Sequence, residues 1–185
     1  MTRARDQKLT QGDAEIDVRP LIIDAMPSLR AFARSLTNDR DRADDLVQET
    51  VVKALSNLDR FKAGTNIRAW LFTILRNHFF SELRKKRREI ADVDGKHAAQ
   101  LTTRPTQLEK VEFADFRKAL VKLSTEQREA LILVGPAGFS YEEAAGICCC
   151  AVGTIKSRVN RARTRLAELL EGEIARDKSG KAEVA

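Results

Sequence analysis

Residues 44–58 read DDLVQETVVKALSNL, and their apolar positions recur at three- and four-residue steps: Leu46, Val47, Val51, Ala54, Leu55 and Leu58. That period belongs to an amphipathic α-helix, and Asp44 and Asp45 sit where a helix start favours negative charge. The same period returns along most of the chain and strand alternation does not. PSLRAFARSL (27–36) predicts a helix opening on Pro27 with Leu29, Phe32, Ala33 and Leu36 inward, and Pro20 and Pro27 should divide the entry segment into short pieces. FKAGTN (61–66) is a loop by its Gly-Thr-Asn content, and IRAWLFTILRNHFFSELRKKRRE (67–89) is one long helix.

Periodicity lapses between Ile90 and Lys110, which reads as an interdomain linker. It resumes with Phe113, Phe116, Leu120 and Leu123. STEQREALILVGP follows, with capping-box spacing from Ser124 to Gln127 and a Gly135-Pro136 stop; SYEEAAGI opens on a second box, Ser140 to Glu143. A short capped helix, a turn and another helix is the order of a helix-turn-helix. The expected fold is therefore all-α: two small helical domains, 20–88 and 113–170, joined by a flexible linker at 89–112, with tails at 1–19 and 171–185.

Charge locates the surfaces that matter. The chain carries +6 overall at a pI near 9.4. Arg76–Arg88 holds six basic residues against Glu82, and Gly153–Leu166 holds five with no acid. Two concentrated basic segments on a slightly acidic remainder point to two contacts with one polyanion. On the last helix, Ile155, Val159, Ala162 and Leu166 fall in a narrow apolar stripe by 100° stepping. Lys156, Ser157, Asn160, Arg161 and Thr164 lie opposite, with Arg158 and Arg163 at the flanks. Asn and Arg can read base edges bidentately while flanking arginines reach phosphates, which fits the major groove. On the 67–89 helix, Ile67, Trp70, Leu71, Ile74, Leu75 and His78 share one face; Thr73, Arg76, Phe80 and Arg84 share another, bordered by Asn77. Cations interleaved with an aromatic suit a single strand, because every base offers a face to stack on.

Three adjacent cysteines, Cys148-Cys149-Cys150, precede the basic helix. Adjacent residues cannot all face one tetrahedral zinc, and the histidines, His78 and His97, stand isolated, so no metal site is expected. The thiols read as small filler at a turn. No phosphate loop or nucleophile–base pair is visible, which argues against an enzyme and leaves no cofactor or small-molecule substrate to accommodate. No apolar run reaches the roughly 18 residues a bilayer span requires. The first residues hold no apolar signal core, so a cytoplasmic location with reduced thiols is expected.

RADDLVQETVVKA, AWLFTILRN and AVGTIKSRVNRARTRL, in this order and spacing, resemble a bacterial extracytoplasmic-function (ECF) sigma factor over about residues 18–172. The resemblance implies that 20–88 is sigma region 2 and 113–170 sigma region 4, and that the factor binds core RNA polymerase and directs promoter-specific initiation. By the same likeness, Asp44, Asp45, Gln48, Glu49 and Lys53 grip the beta-prime coiled coil, with the beta flap as a second contact. Lys62, Gly64, Thr65 and Asn66 with Asn77 resemble the pocket for a flipped minus-10 base, supported by Thr73, Arg76, Phe80 and Arg84. Lys156, Ser157, Asn160 and Arg161 match the minus-35 reading positions, and Thr154, Arg158 and Arg163 complete the expected minus-35 DNA contact. FKAGTNIRAWLFTILRNHFFSELRKKRRE and QREALILVGPAGFSYEEAAGIC look most like the alphaproteobacterial general-stress-response group, as does Ser81 where many ECF factors carry aspartate. That group implies a NepR-type anti-sigma partner and, indirectly, a PhyR-type regulator. The rival readings are a sigma-like decoy that binds anti-sigma factor, and a one-component helix-turn-helix activator.

Overall fold

The computed structural model describes residues 17–62, 64–93 and 111–182; the N-terminal tail to residue 16, most of the expected linker, and His97 lie outside them. The described residues are helical, with no strand among them. The elements are α1 (Arg19–Thr37), α2 (Arg40–Leu55), a 3-10 turn (Leu58–Arg60), α3 (Ile67–Val93), α4 (Val111–Val121), α5 (Thr125–Val134), α6 (Tyr141–Cys148) and α7 (Val152–Ala182).

Several boundaries differ from the sequence expectation. The entry segment is not divided: α1 runs through Pro27, which is exposed. Ile22, Ala25, Leu29, Phe32, Ala33 and Leu36 all bury against the neighbouring helices, and that packing offsets the one backbone bond proline cannot make. Asn38, in the left-handed region at φ 54°, ends α1 by donating its N–H to Arg34 O at 2.9 Å. Asp39 then caps α2, its carboxylate accepting from the Asp41 and Arg42 amides. So α2 begins four residues before Asp44, and Asp44 and Asp45 lie in its second turn. Leu55, expected inside, is 45% exposed. At the other ends, α3 continues to Val93 and α7 to Ala182, past the anticipated limits at 88 and 170.

Both capping boxes form. Ser124 and Ser140 accept from the amides of Gln127 and Glu143, whose side chains accept in return from the serine amides. After α5, a side chain at Gly135 would place its Cβ 2.8 Å from Leu131 O, so only glycine fits this stop.

The first three helices form one group around Leu29, Phe32, Leu71, Phe72 and Leu75. The last four form another, in which Ile155, Val159 and Ala162 of α7 pack as the stripe expected from sequence. The two groups also pack against each other. Phe72 stacks on Phe32 at 5.0 Å and meets Phe139, from the turn after α5, edge-on at 4.9 Å. Buried apolar residues from Val18 to Val159 thus make one continuous core.

Candidate nucleic-acid interface

The helix-turn-helix is α6, a turn and α7. Its turn is the cysteine run: Cys148 is the last, buried residue of α6, Cys149 caps it in the left-handed region at φ 50°, and Cys150 is half-buried. Burial, and then the neighbouring Glu129 charge, push the Cys148 thiol up to about 12, so it stays protonated and serves as packing.

Beyond the turn, Lys156, Ser157, Asn160, Arg161, Arg163 and Thr164 are exposed, and Thr154 and Arg158 are half-buried. Lys156 lies over the Tyr141 ring at 5.8 Å, and Ser157 Oγ donates to Thr154 O. Among the described residues, Asn160, Arg161 and Arg163 have no side-chain partner, whereas Arg165 is occupied by Glu168 at 2.9 Å. A cationic and amide surface with unsatisfied donors is free to pair with base edges and phosphates.

On the other group, Lys62, Gly64, Thr65 and Asn66 form an exposed turn before α3. It is closed by the Thr65 amide and hydroxyl on Lys62 O, with Gly64 at φ 82°. Asn77 lies further along α3, about 15 Å along the axis from its start. The 100° step places Asn66, Thr73, Asn77, Phe80 and Arg84 within about 40° of one line, a row about 27 Å long. Asn77 and Arg84 are exposed, Thr73 and Phe80 half-buried. Phe80 is not a free platform here: its ring meets Phe79 at 5.3 Å and the Arg76 guanidinium covers it at 4.7 Å. Arg76 is in turn paired with Glu129 of α5. Burial works most strongly, to lower the Arg76 pKa, but the Glu129 charge and hydrogen bond together outweigh it and the net shift is upward. Burial raises that of Glu129 against the opposing pull of Arg76.

The third surface is the outer face of α2. Asp45, Gln48, Glu49 and Lys53 are exposed, while Asp44 is half-buried and pairs with Arg30 at 3.6 Å. Sequence reasoning missed Val52, 63% exposed, and Leu55, which give this acidic face an apolar centre. Stepping 100° per residue puts Val52 between Gln48 and Glu49, opposite buried Leu46 and Thr50, and that phase was the available signal.

His78 is not isolated as expected: one ligand atom from each of Glu49, His78 and Glu82 comes within 4.8 Å of the others. Lys53 Nζ lies 2.5 Å from His78 Nδ1. An ammonium can only donate, so Nδ1 is the acceptor in this contact, and Nε2 faces Glu49 at 2.5 Å and Glu82 at 3.5 Å. Arg42 reaches Glu82 from the far side at 3.5 Å. The cluster is an ion-pair lattice tying α2 to α3.

A helix-turn-helix with an exposed cationic face, joined to a helical group with a polar and cationic row, is an arrangement suited to meeting one polyanion at two places. Sigma-70 region 2 matches residues 21–89 and sigma-70 region 4 matches residues 113–166. The ECF RNA polymerase sigma factor EcfG of Rhodopseudomonas palustris is 61% identical over 160 residues, 86% of this chain and 88% of that protein. SigC, an ECF sigma factor of Mycobacterium tuberculosis, is 37% identical over 70% of each chain. Among solved structures, the sigma factor RpoE of Bartonella quintana, crystallised with the anti-sigma factor NepR, superposes with a TM-score of 0.75. It is 53% identical, covering 84% of this chain and 97% of that one. The chain belongs to the ECF family of RNA polymerase sigma factors. Its function is that of a sigma factor in transcription initiation, and the decoy and one-component readings give way to it. No described helix is long and apolar enough to cross a membrane.

Proposed function

We propose that this sigma factor directs core polymerase, in the cytoplasm, to promoters of general stress response genes under the control of a NepR-type anti-sigma factor. Its working units are region 2 over 20–88 and region 4 over 113–170. The stress assignment rests on the likeness to EcfG and to a sigma factor crystallised with NepR. On α7, Lys156, Ser157, Asn160 and Arg161 read the minus-35 element, with Thr154, Arg158 and Arg163 on its backbone. On α3 and the preceding turn, Lys62, Gly64, Thr65, Asn66, Thr73, Arg76, Asn77, Phe80 and Arg84 track the melted minus-10 strand. Asp44, Asp45, Gln48, Glu49 and Lys53, with Val52 and Leu55, dock on the polymerase.

The observation that carries this reading is the row on α3. An ordinary helix-turn-helix protein needs no second, partly aromatic track long enough for several unstacked nucleotides. Asn77, exposed at its middle, tests it. Asn77→Ala should leave binding to core polymerase and to minus-35 duplex unchanged while lowering open-complex formation by about threefold to tenfold, the worth of one or two hydrogen bonds. A premelted bubble should restore part of the loss, since the base is then unpaired but its hydrogen bonds are still missing. Permanganate reactivity at the minus-10 element and run-off transcription measure both, and duplex opening at the wild-type level would refute the assignment.

A further inference from the structure

The cysteine run at the turn of the helix-turn-helix holds its three thiols in three different settings. Cys148 is 4% exposed and fills the core at the end of α6. Cys149 is exposed, and its backbone is left-handed at φ 50°, ψ 49°, a conformation that glycine adopts at a helix end without crowding of a Cβ. Its Sγ lies 3.7 Å from Gly146 O. Cys150 is half-buried, with its side chain packed against the core. Packing accounts for Cys148 but not for an exposed thiol in a cap that glycine would serve better. Two hydrogen bonds hold this turn: the Cys149 amide donates to Gly146 O at 3.2 Å, and the Cys150 amide to Ala145 O at 3.1 Å. The reading helix α7 starts two residues later, at Val152, so these bonds set the angle at which it leaves α6.

We propose that Cys149 and Cys150 form a peroxide-sensitive dithiol whose closure into a disulfide releases the minus-35 element. The Cys149 thiolate attacks one oxygen of hydrogen peroxide; an S–O bond forms, the O–O bond breaks and hydroxide leaves. The Cys150 sulfur then attacks the Cys149 sulfenic acid. An S–S bond forms, the S–O bond breaks, and the departing hydroxide takes the Cys150 proton as water. The two steps remove two electrons and two protons from the thiols and turn one peroxide into two waters. Neighbouring Cα atoms are about 3.8 Å apart, short of the roughly 4.4 Å at which ordinary disulfides begin, so the ring closes only if the turn distorts. Closure draws Cys150 off the core and Cys149 out of its cap, and both turn hydrogen bonds are lost with them. The same strain makes the bond easy to reduce, so the change is reversible.

This switch rests on the reading of α7 as the minus-35 helix, and the experiment separates the two. Full-length wild type, Cys149→Gly and Cys150→Ser are treated with hydrogen peroxide and compared with the reduced proteins. Peptide mass spectrometry reads the thiols, and fluorescence anisotropy reads binding to labelled minus-35 and scrambled duplexes. In oxidised wild type the peptide carrying residues 149 and 150 should lose two hydrogens. Its minus-35 affinity should fall roughly tenfold, the worth of one misplaced base contact, and dithiothreitol should restore both. Cys149→Gly suits the left-handed cap, so it should bind like reduced wild type and ignore peroxide. Cys150→Ser cannot close the ring and should keep its affinity under peroxide. Thiols left unpaired, Cys149 paired with any other thiol, or ring closure without weaker binding would each overturn the switch alone. A reduced chain with no preference for minus-35 over scrambled duplex would overturn the reading of α7, and the switch with it.

Discussion

The Phe72–Phe139 contact offers a direct measure of how strongly the two groups of helices depend on each other. Phe72 is fully buried between Phe32 and Phe139, and Phe139 is 4% exposed. Truncating a buried phenylalanine to alanine costs about 3–5 kcal/mol, a large part of the 5–15 kcal/mol that holds a domain of this size together. An edge-on ring pair contributes about 0.5–1.5 kcal/mol beyond the area it buries. A cycle of Phe72→Ala, Phe139→Ala and the double substitution should therefore show a coupling of that size, with Phe72→Leu replacing alanine if the single variant unfolds. The assay is urea unfolding followed by the fluorescence of Trp70, the chain's one tryptophan, which sits on α3 against Phe61 at 5.3 Å. Phe139 belongs to the other group, so in a chain of independent domains its loss would leave the Trp70 transition where it was. In the packed chain the Trp70 midpoint falls with Phe139→Ala, at a slope that still scales with the surface exposed. An unmoved midpoint, or additivity within about 0.3–0.5 kcal/mol, would refute a shared core.

On the recognition helix, Asn160→Ala or Arg161→Ala should cost about 1–3 kcal/mol at the matching base pair and relax selectivity there, whereas Arg163→Ala should weaken all duplexes alike and flatten the salt dependence. Equal losses on promoter and scrambled DNA for Asn160→Ala would contradict base reading. Among the thiols, exposed Cys149 should alkylate first and Cys148, buried with its pKa pushed to about 12, last; mass spectrometry after brief iodoacetamide treatment at neutral pH reads the order, and early loss of Cys148 would mean that the end of α6 is open.

What was legible in the sequence is what local chemistry decides. The α7 stripe, both capping boxes and the stop at Gly135 depend on residues a few positions apart, and the structure has each of them. The start of α2 lies earlier than the Asp44-Asp45 pair suggests, because Asp39 caps the helix through its side chain. The continuity of α1 through Pro27 depends on burial along the whole helix, which no local propensity reports.

The residues that resisted reading share a physical signature. On α5, Glu129 lies in phase with buried Leu133, and on α3, His78 falls on the apolar face with Leu71 and Leu75. In α2, Val52 and Leu55 fall in phase with the solvated Gln48 and Glu49. A polar group in apolar phase must find a partner, because burial without one costs several kcal/mol; an apolar group in polar phase remains available to something else. Helical period shows that such a partner exists but not which one, since Glu129 meets Arg76 across 53 residues and His78 meets Lys53 across 25. Those out-of-phase positions are where consistency between pattern and fold is given up. In this chain they are the contact that joins region 4 to region 2, the lattice that fixes α2 on α3, and the face assigned to the polymerase. Glu129 in particular is a buried carboxylate whose partner lies in the other group of helices, so it is tolerated only where the two groups pack together.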